Sequence, residues 1–489
     1  MTAQPSPPIV IVAGPTGVGK SLLAIELAKK FNGEVLNADS MQLYSGLDIV
    51  TNKVTSEELS QAPHHLIGCL SPLTTDSTVG AYRQLAQPLL DRLLKENRLP
   101  IICGGTCYYI EALLWNILLE DGGNFTNDVD DIESELRDDP AQKSDPQELH
   151  NRLRAVDPEA AIRLHPNDRR KVARALQVNL RRGDGAYSSM LREQHRLGDH
   201  FSGPLRYPPD RLAILWLACR RDHLERRLDC RVDKMIQSGL LAELEAFHSE
   251  FNASRVGAGA SKDYTRGIFQ SIGFKEFHSY LLMSPEQRDS AEGQLALKSG
   301  IELMKQRTKR YAVQQEKWLR NRFLRHSDDN YAPVYLLNAD SLVESDWTTG
   351  VRQPAFEIVE ALLKSDQNIL LKHSTRLATE PRGLVGSSSS LDDSESDSVR
   401  IGRSLELRCD HCGVTFAQRD QYKEHMSSRR HAKRMAGLRR LAARIAAGHS
   451  DPNAVVVIDR NAEAADGSEE SAVDNNNDSG RSSSRAVTG

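Results

Sequence analysis

The chain has 489 residues and a formal net charge of −4, so its length allows several domains and its charge gives no overall basic field. Its seven cysteines, an odd number, argue against a secreted disulfide framework. No stretch has the length of a membrane span or the pattern of a signal peptide, so we expect a soluble intracellular protein without membrane contact.

The first predicted element is a phosphate-binding loop. The stretch PIVIVAGPTGVGKS places a buried-strand run before the loop, and the helix-forming run LLAIELAKK follows it. The loop residues are Gly14, Pro15, Thr16, Gly17, Val18, Gly19, Lys20 and Ser21. Glycine backbone N–H groups can surround phosphate oxygens, Lys20 adds positive charge, and the Ser21 hydroxyl can bind Mg²⁺. The loop predicts binding of a di- or triphosphate, without deciding whether phosphate is transferred or leaves.

Strand-like and helical runs alternate from this loop onward, which predicts an α/β fold: a P-loop parallel-sheet core, a helical insertion domain, a small C-terminal zinc finger and a disordered tail. Strands are predicted at 9–12, 34–37, 100–103, 211–218 and 334–340, with helices that include 79–96 and, as the last, 357–364. The predicted domains are the first part of the core at 1–118, the insertion at 119–205, the core continuation at 206–370, a disordered linker at 371–404, the finger with a basic helix at 405–445 and an acidic disordered tail at 446–489.

The finger is predicted from four residues with metal-ligand spacing. They are Cys409, Cys412, His425 and His431, in the order Cys-x2-Cys-x12-His-x5-His. A structural Zn²⁺ would stabilise a fold too small for a core of its own. A Lys/Arg-rich run follows; phosphate-backbone contact, a solvated helix face and a nuclear-localisation signal remain open readings of it.

Asp39 follows the second predicted strand, at the edge of the sheet where ligands bind. A carboxylate there could act as a general base beside phosphates, but it could equally cap a turn. Gly104, Gly105 and Thr106 end the next strand, where many P-loop proteins have a Mg²⁺-binding Asp. The residue chemistry alone leaves these readings open.

Several motifs in order resemble those of the tRNA dimethylallyltransferases (tRNA isopentenyltransferases). They are GPTGVGKS, NADSMQLYSGLDIVTNK, HHLIG, GGTCYY, HPNDRRKVARALQV, RRLDCRVDKM, SIGFKEF and KQRTKRYAVQQEKWLR, and they cover most of residues 8–325. The C-terminal finger is similar to that of eukaryotic members. Ser21 replaces the Thr of many members but keeps the hydroxyl.

The resemblance implies that a dimethylallyl group passes from dimethylallyl diphosphate to N6 of adenosine 37 in tRNA. Thr16, Lys20 and Ser21 with Mg²⁺ would stabilise the leaving diphosphate, and Asp39 would accept the N6 proton. Ser40, Met41 and Gln42 would hold the flipped adenine, and Thr106 would line the tunnel.

The resemblance also implies roles for basic helices. Arg227 and Arg231 share one helix face, and Arg227 is the first choice to bind the diphosphate, with an ion-paired surface face as the alternative. Contacts to the tRNA anticodon stem-loop are assigned to Arg170, Lys171, Arg174, Lys305, Gln306, Arg307, Lys309 and Arg310. We expect a monomer in the cytoplasm, with the mitochondrion and nucleus as further compartments.

Two rival functions remain. A small-molecule P-loop kinase would leave the finger and the basic insertion unexplained. A non-catalytic RNA-binding protein with an inactive P-loop would not require Lys20, Ser21, Asp39 and Thr106 together.

Overall fold

The computed structural model of the protein describes residues 7–74, 77–116, 145–196, 204–252, 267–324 and 332–373, with short C-terminal pieces at 407–409, 414–416, 425–427, 431–432 and 435. The chain divides into two compact units, residues 1–399 and 400–489. The predicted tail lies outside the described residues, as do most of the predicted linker and residues 119–144 of the predicted insertion. Within the described part, no helix is long and apolar enough to cross a membrane.

A six-stranded parallel sheet forms the centre of the first unit, with strand order β3-β2-β4-β1-β5-β6. The strands are β1 (Ile9–Ala13), β2 (Gly33–Asn37), β3 (His64–His65), β4 (Leu99–Cys103), β5 (Leu212–Ala218) and β6 (Val334–Asn338). The predicted parallel-sheet α/β fold is confirmed. The second unit contains an antiparallel hairpin of β7 (Leu407–Cys409) and β8 (Val414–Phe416).

Helices connect the strands and cover both faces of the sheet. In the first part of the chain they are α1 (Lys20–Phe31), α2 (Ser56–Gln61), α3 (Val79–Lys95), α4 (Cys107–Leu114), α5 (Pro146–Val156), α6 (Pro158–Arg163), α7 (Arg169–Arg182) and α8 (Ala186–Arg196). After β5 they are α9 (Arg221–Gln237), α10 (Leu240–Phe247), α11 (His278–Leu281), α12 (Pro285–Asp289), α13 (Ala291–Leu319), α14 (Glu344–Trp347), α15 (Gln353–Lys364) and α16 (Gln367–His373).

The strands are apolar along their whole length because both faces of the sheet are covered. In β1, Ile9 and Ile11 belong to one hydrophobic cluster, whereas Val10 and Val12 belong to a second cluster on the opposite face. All five residues of β1 are buried. This continuous apolar run is typical of parallel strands between helical layers.

The register of the strands brings three loops together at one edge. Val12 of β1 and Asn37 of β2 both lie opposite Cys103 of β4. Because the strands are parallel, the segments that leave their carboxyl ends meet at the same edge of the sheet. These segments are the P-loop after β1, the Asp39 segment after β2 and the Gly104–Thr106 turn after β4.

Two local predictions differ from the structure. No strand is predicted at His64 and His65, but they pair with Val35 and Leu36 of β2 and form the short edge strand β3. The helix predicted to be last at 357–364 begins earlier, at Gln353, and α16 follows it to His373.

Helices α5 to α8 form the described part of the predicted insertion and have a hydrophobic cluster of their own, which includes Leu149, Leu153, Val172 and Leu176. Asp157 joins three of these helices. Its carboxylate accepts hydrogen bonds from Ala160 N (3.0 Å), Ser188 N (2.9 Å) and Asn179 Nδ2 (3.4 Å). Burial would raise the pKa of Asp157, but these bonds and one from the Ser188 hydroxyl outweigh it and lower the pKa.

Replacing Asp157 with Ala should destabilise the insertion by about 2 to 3 kcal/mol, since it removes a helix cap and leaves buried donors unpaired. Because the folded-state pKa is lowered, this stabilisation is present above the unfolded pKa and is lost as the pH falls below about 4. Amide hydrogen exchange of α5 to α8, measured for both proteins between neutral and acidic pH, should show a difference that shrinks in acid. Asp168→Ala removes a more exposed cap, the 3.4 Å bond from Lys171 N, and serves as the control. Equal loss of protection in the two variants would contradict the assignment.

Candidate active site

The P-loop has a backbone that only glycine can readily adopt. Gly17 has φ 89°, and a Cβ there would lie 2.7 Å from Leu228 Cδ2. Gly19 has φ 95°, and a Cβ there would lie 2.9 Å from the Trp347 ring. The left-handed conformation and the close neighbours together explain why the loop needs glycine at these positions.

Lys20 and Ser21 begin helix α1 directly after this loop. The Lys20 ammonium donates a hydrogen bond to the Pro15 carbonyl (2.9 Å), which holds it against the loop. Burial lowers the pKa of Lys20, although Cys103 and Asp39 pull it in the other direction. The Ser21 hydroxyl and phosphate oxygens of a substrate are the hard oxygen ligands that Mg²⁺ prefers, so this position fits the ion.

Asp39 is held in a turn built by its neighbours. Asn37 accepts a hydrogen bond from Asp39 N (3.1 Å) and donates to the Asp39 carbonyl (3.1 Å) and the Leu66 carbonyl (2.9 Å). The Asp39 Oδ1 atom accepts a hydrogen bond from Met41 N (3.0 Å), so Asp39 does cap this turn. The capping contact occupies one carboxylate oxygen and is compatible with proton transfer at the other.

Three ionisable groups lie together at this edge: Asp39, Lys20 and Arg231. Burial raises the pKa of Asp39, with the Met41 hydrogen bond, Lys20 and Arg231 opposing the shift. Burial lowers the pKa of Arg231 to about 10, with Asp39 opposing it. Burial therefore disfavours all three charges; Asp39 and the two cations favour each other's charged forms, whereas Arg231 also lowers the pKa of Lys20.

The two candidate arginines of α9 separate in the structure. Arg231 Nη1 donates to Thr16 Oγ1 of the P-loop (2.8 Å), whereas Arg227 Nη1 donates to the Ala339 carbonyl beyond β6 (2.8 Å). The structure therefore brings Arg231, and not the first choice Arg227, to the side chains of the site. The two arginines are four positions apart on the helix, and this spacing alone could not show which of them reaches the site.

Thr106 connects the turn after β4 to the Asp39 segment. Its hydroxyl accepts from Ser40 N (3.0 Å) and donates to Ser40 Oγ (3.2 Å). Gln42 points elsewhere, since its amide donates to the carbonyls of Thr51 (3.2 Å) and Asn52 (2.9 Å). Of the residues expected to hold the base, Ser40 and Met41 line the cavity described next, whereas Gln42 shapes the loop beside it.

A cavity of about 500 Å³ opens at this edge of the sheet. Its walls come from the P-loop, the Asp39 segment, α9, α13 and the segment before α11. The lining residues are Thr16, Asp39, Ser40, Met41, Val50, Thr51, Asn52, Arg231, Met235, Gln270, Ser271, Ile272, Lys275, Met304, Arg307, Thr308, Arg310, Tyr311 and Gln314. Both apolar and polar side chains line the cavity, so it suits a ligand that has an apolar part and a polar part.

Two side chains that fix loops of the site were not predicted. Gln315 of α13 accepts from Thr16 N (2.9 Å) and donates to the Gly105 carbonyl (3.1 Å). Glu243 of α10 accepts from Ile49 N (2.8 Å) and Val50 N (3.0 Å). Both glutamine and glutamate lie in ordinary helical sequence, and no local pattern marks them.

The basic residues assigned to RNA contact lie on two helices. On α13, Lys305 pairs with Asp233 (2.7 Å), Lys309 with Asp229 (2.9 Å) and Arg307 with Glu276 (2.9 Å), while Gln306 and Arg310 are exposed. On α7, Arg170 is exposed, Lys171 pairs with Asp168 (2.7 Å) and Arg174 Nη1 donates to Gln177 (2.7 Å). Arg307 and Arg310 line the cavity; the three α7 residues do not.

In the C-terminal unit, the ligand atoms of Cys409, His425 and His431 lie within 4.8 Å of one another. Cys409 is the last residue of β7, and the two histidines lie in helical segments. Cys412, the fourth predicted ligand, lies outside the described residues. One thiolate and two imidazoles at this separation fit a tetrahedral Zn²⁺ site.

The fold and the loop define a P-loop protein of the α/β class. Comparison with known proteins narrows this class: the IPP transferase family profile matches residues 42–322. The chain belongs to the IPP transferase family. The tRNA dimethylallyltransferases of Mus musculus and Homo sapiens are each 44% identical to it over 363 residues, which are 73% of this chain and 75% of theirs.

One more distant relative matches a larger share of the chain. The tRNA dimethylallyltransferase of Saccharomyces cerevisiae is 30% identical over 434 residues, 86% of this chain and 91% of the relative. A crystal structure of a eukaryotic dimethylallyltransferase acting on tRNA aligns with a TM-score of 0.63 at 28% identity, covering 90% of this chain and 98% of that one. The family resemblance inferred from the motifs is confirmed.

The metal assignment can be tested with Co²⁺, whose absorption reports thiolate and imidazole ligands. The full-length protein should bind the ion at a tetrahedral site, and Cys409→Ser should weaken both the thiolate band and the binding, because it removes one of the two predicted thiolate ligands. Cys69 is exposed and outside the cluster, so Cys69→Ser is the matched control. An unchanged Co²⁺ spectrum in the Cys409 variant would rule this cysteine out as a ligand.

Proposed function

We propose that this protein transfers the dimethylallyl group of dimethylallyl diphosphate to N6 of adenosine 37 in tRNA, giving N6-(dimethylallyl)adenosine and diphosphate. The observation that carries the proposal is that Thr16 of the P-loop and the carboxylate of Asp39 line the same cavity. The chain that holds this cavity belongs to the IPP transferase family. The named activities of its relatives agree with this reaction.

The P-loop side binds the leaving group. Lys20 and Arg231 provide positive charge, and the Thr16 hydroxyl is already fixed by Arg231 at 2.8 Å. As the bond between the allylic carbon and the diphosphate oxygen breaks, negative charge grows on that oxygen, and fixed cations stabilise it more than they stabilise the ground state. Mg²⁺ bound by Ser21 and the phosphates would add charge neutralisation there.

The Asp39 side binds the acceptor. The N6 amine attacks the allylic carbon as the carbon–oxygen bond breaks, and its proton passes to the Asp39 carboxylate. The raised pKa of Asp39 brings this base closer to the pKa range in which proton transfer is efficient. Ser40 and Met41 hold the adenine, which must leave its stack to enter the cavity.

The remaining assignments concern partners. Arg170, Lys171, Arg174, Gln306 and Arg307 contact the tRNA anticodon stem-loop, together with the exposed Arg310 and with Lys305 and Lys309, which also pair with Asp233 and Asp229 of α9. The finger binds Zn²⁺ through Cys409, Cys412, His425 and His431 and adds RNA affinity. The protein acts as a monomer in the cytoplasm; mitochondrial and nuclear pools stay predictions.

The reaction is tested by incubating the purified protein with labelled dimethylallyl diphosphate, Mg²⁺ and an anticodon stem-loop that carries A37. Label should appear in this RNA and not in a matched loop with G37, because guanine lacks the N6 amine. Hydrolysis of ATP or transfer of its phosphate, without prenyl transfer, would instead identify a kinase or NTPase.

The two arginines give a matched pair of variants. Arg231→Gln should reduce kcat/KM by about 100-fold or more, because it removes a fixed donor from the leaving-group site. Arg227→Gln, which loses a bond to a backbone carbonyl outside the cavity, should have a much smaller effect. Steady-state kinetics with varied dimethylallyl diphosphate would check both, and the reverse order of effects would return the role to Arg227.

A further inference from the structure

Gln315 contacts both halves of the candidate active site. It is 5% exposed, and its side chain lies between the P-loop and the turn after β4. Its two partners are far from it in sequence, since Thr16 is 299 positions away and Gly105 is 210 positions away. Helix α13 therefore carries a single side chain that joins two loops from different strands.

The amide of Gln315 is matched to its partners at each end. Oε1 accepts from the Thr16 N–H at 2.9 Å, and Nε2 donates to the Gly105 carbonyl at 3.1 Å. Neither a carboxylate nor an apolar side chain can provide one acceptor and one donor in this arrangement. The fit also explains the glycine in the turn, because a Cβ on Gly105 would lie 2.2 Å from Gln315 Nε2.

The contact at Gly105 continues toward the acceptor side. The next residue, Thr106, accepts a hydrogen bond from Ser40 N at 3.0 Å, and Ser40 follows Asp39 in the chain. Hydrogen bonds thus connect the P-loop to Gln315, Gln315 to the turn at Gly105, and the next residue of that turn, Thr106, to the Asp39 segment. Gln315 itself does not line the cavity, although Tyr311, one turn earlier and hydrogen-bonded to it, does.

We propose that Gln315 is a positioning residue, which sets the separation between the P-loop that binds the leaving group and the segment from Asp39 to Met41 that binds the acceptor. This inference rests on the proposed function. Transfer between two bound substrates needs the attacking and leaving atoms to be held close and in line, and a displacement of about 1 Å can cost about 100-fold in rate. Each substrate can still bind its own half when the connection between the halves is lost.

The first test is Gln315→Met, which keeps a side chain of similar length and removes both hydrogen bonds. The transfer rate at saturating donor and stem-loop should fall about 10- to 100-fold, while the KM of each substrate changes by less than about 3-fold. Leu319 is 1% exposed, lies one turn further along α13 and contacts neither loop through a hydrogen bond of its side chain. Leu319→Val is the control for loss of packing on the same helix, and should keep kcat near wild type.

The second test is Gln315→Glu, measured as the ratio of its transfer rate to wild type across pH. When the new carboxyl is protonated, its O–H can donate to the Gly105 carbonyl while its other oxygen accepts from Thr16 N. When it is ionised, it faces the carbonyl without a proton. Burial raises the pKa of such a group, so the ratio should rise as the pH falls from about 8 to about 6. Asp39, Lys20, Arg231 and Tyr311 are present in both proteins, so their titration largely cancels in the ratio.

Three results would overturn the proposal: an unchanged rate in Gln315→Met, an equal loss in Leu319→Val, or a ratio for Gln315→Glu that does not vary with pH. Failure of the proposed function is distinguishable, because the wild-type protein would then transfer no label to the A37 stem-loop in the same assay.

Discussion

The candidate site depends on the mutual compensation of three charges in a partly buried space. Lys20, Asp39 and Arg231 come from three different segments, and burial alone shifts the pKa of each toward its neutral form. Removing Asp39 would leave two buried cations without a counter-charge, which is costly in a low-dielectric environment. Two cations and one carboxylate leave an excess of positive charge, and a diphosphate would complete the balance. This excess of positive charge favours an anionic ligand at the edge of the sheet.

The parallel sheet provides the platform for this arrangement. Because β1, β2 and β4 are adjacent and parallel, the P-loop, Asp39 and Thr106 must meet at one edge whatever their side chains do. This consequence could be predicted from the sequence, since the strand runs, the glycine pattern and the Asp39 motif are all local features. The helices of the insertion could be predicted for the same reason, as helical patterning is also local, and the ligand spacing from which the finger is predicted is local too.

Contacts between distant segments could not be predicted. Arg231 and Arg227 are equivalent in helical spacing, and only the packing of α9 against the P-loop and β6 separates them. Lys305 and Lys309 look like an RNA-binding stripe in the sequence, but Asp233 and Asp229 of α9 face them across the helix interface. These ion pairs fix α9 against α13 and so help to place Arg231. A basic helix can thus contribute to the leaving-group site through its structural pairs as well as through RNA contact.

On the acceptor side, Glu243 has a comparable structural role, because it fixes a loop of the cavity wall. Its carboxylate accepts the N–H groups of Ile49 and Val50, two successive donors of the loop whose residues Val50, Thr51 and Asn52 line the cavity. Gln42 binds the same loop from the other side through the Thr51 and Asn52 carbonyls. The Glu243 carboxylate thus binds N–H groups of this loop, and the Gln42 amide binds its carbonyl groups. A loop held in both ways loses little conformational entropy when a ligand binds. The acceptor wall of the cavity is thereby formed before any base enters it, so binding energy from the RNA is available for extruding the base instead of ordering the loop.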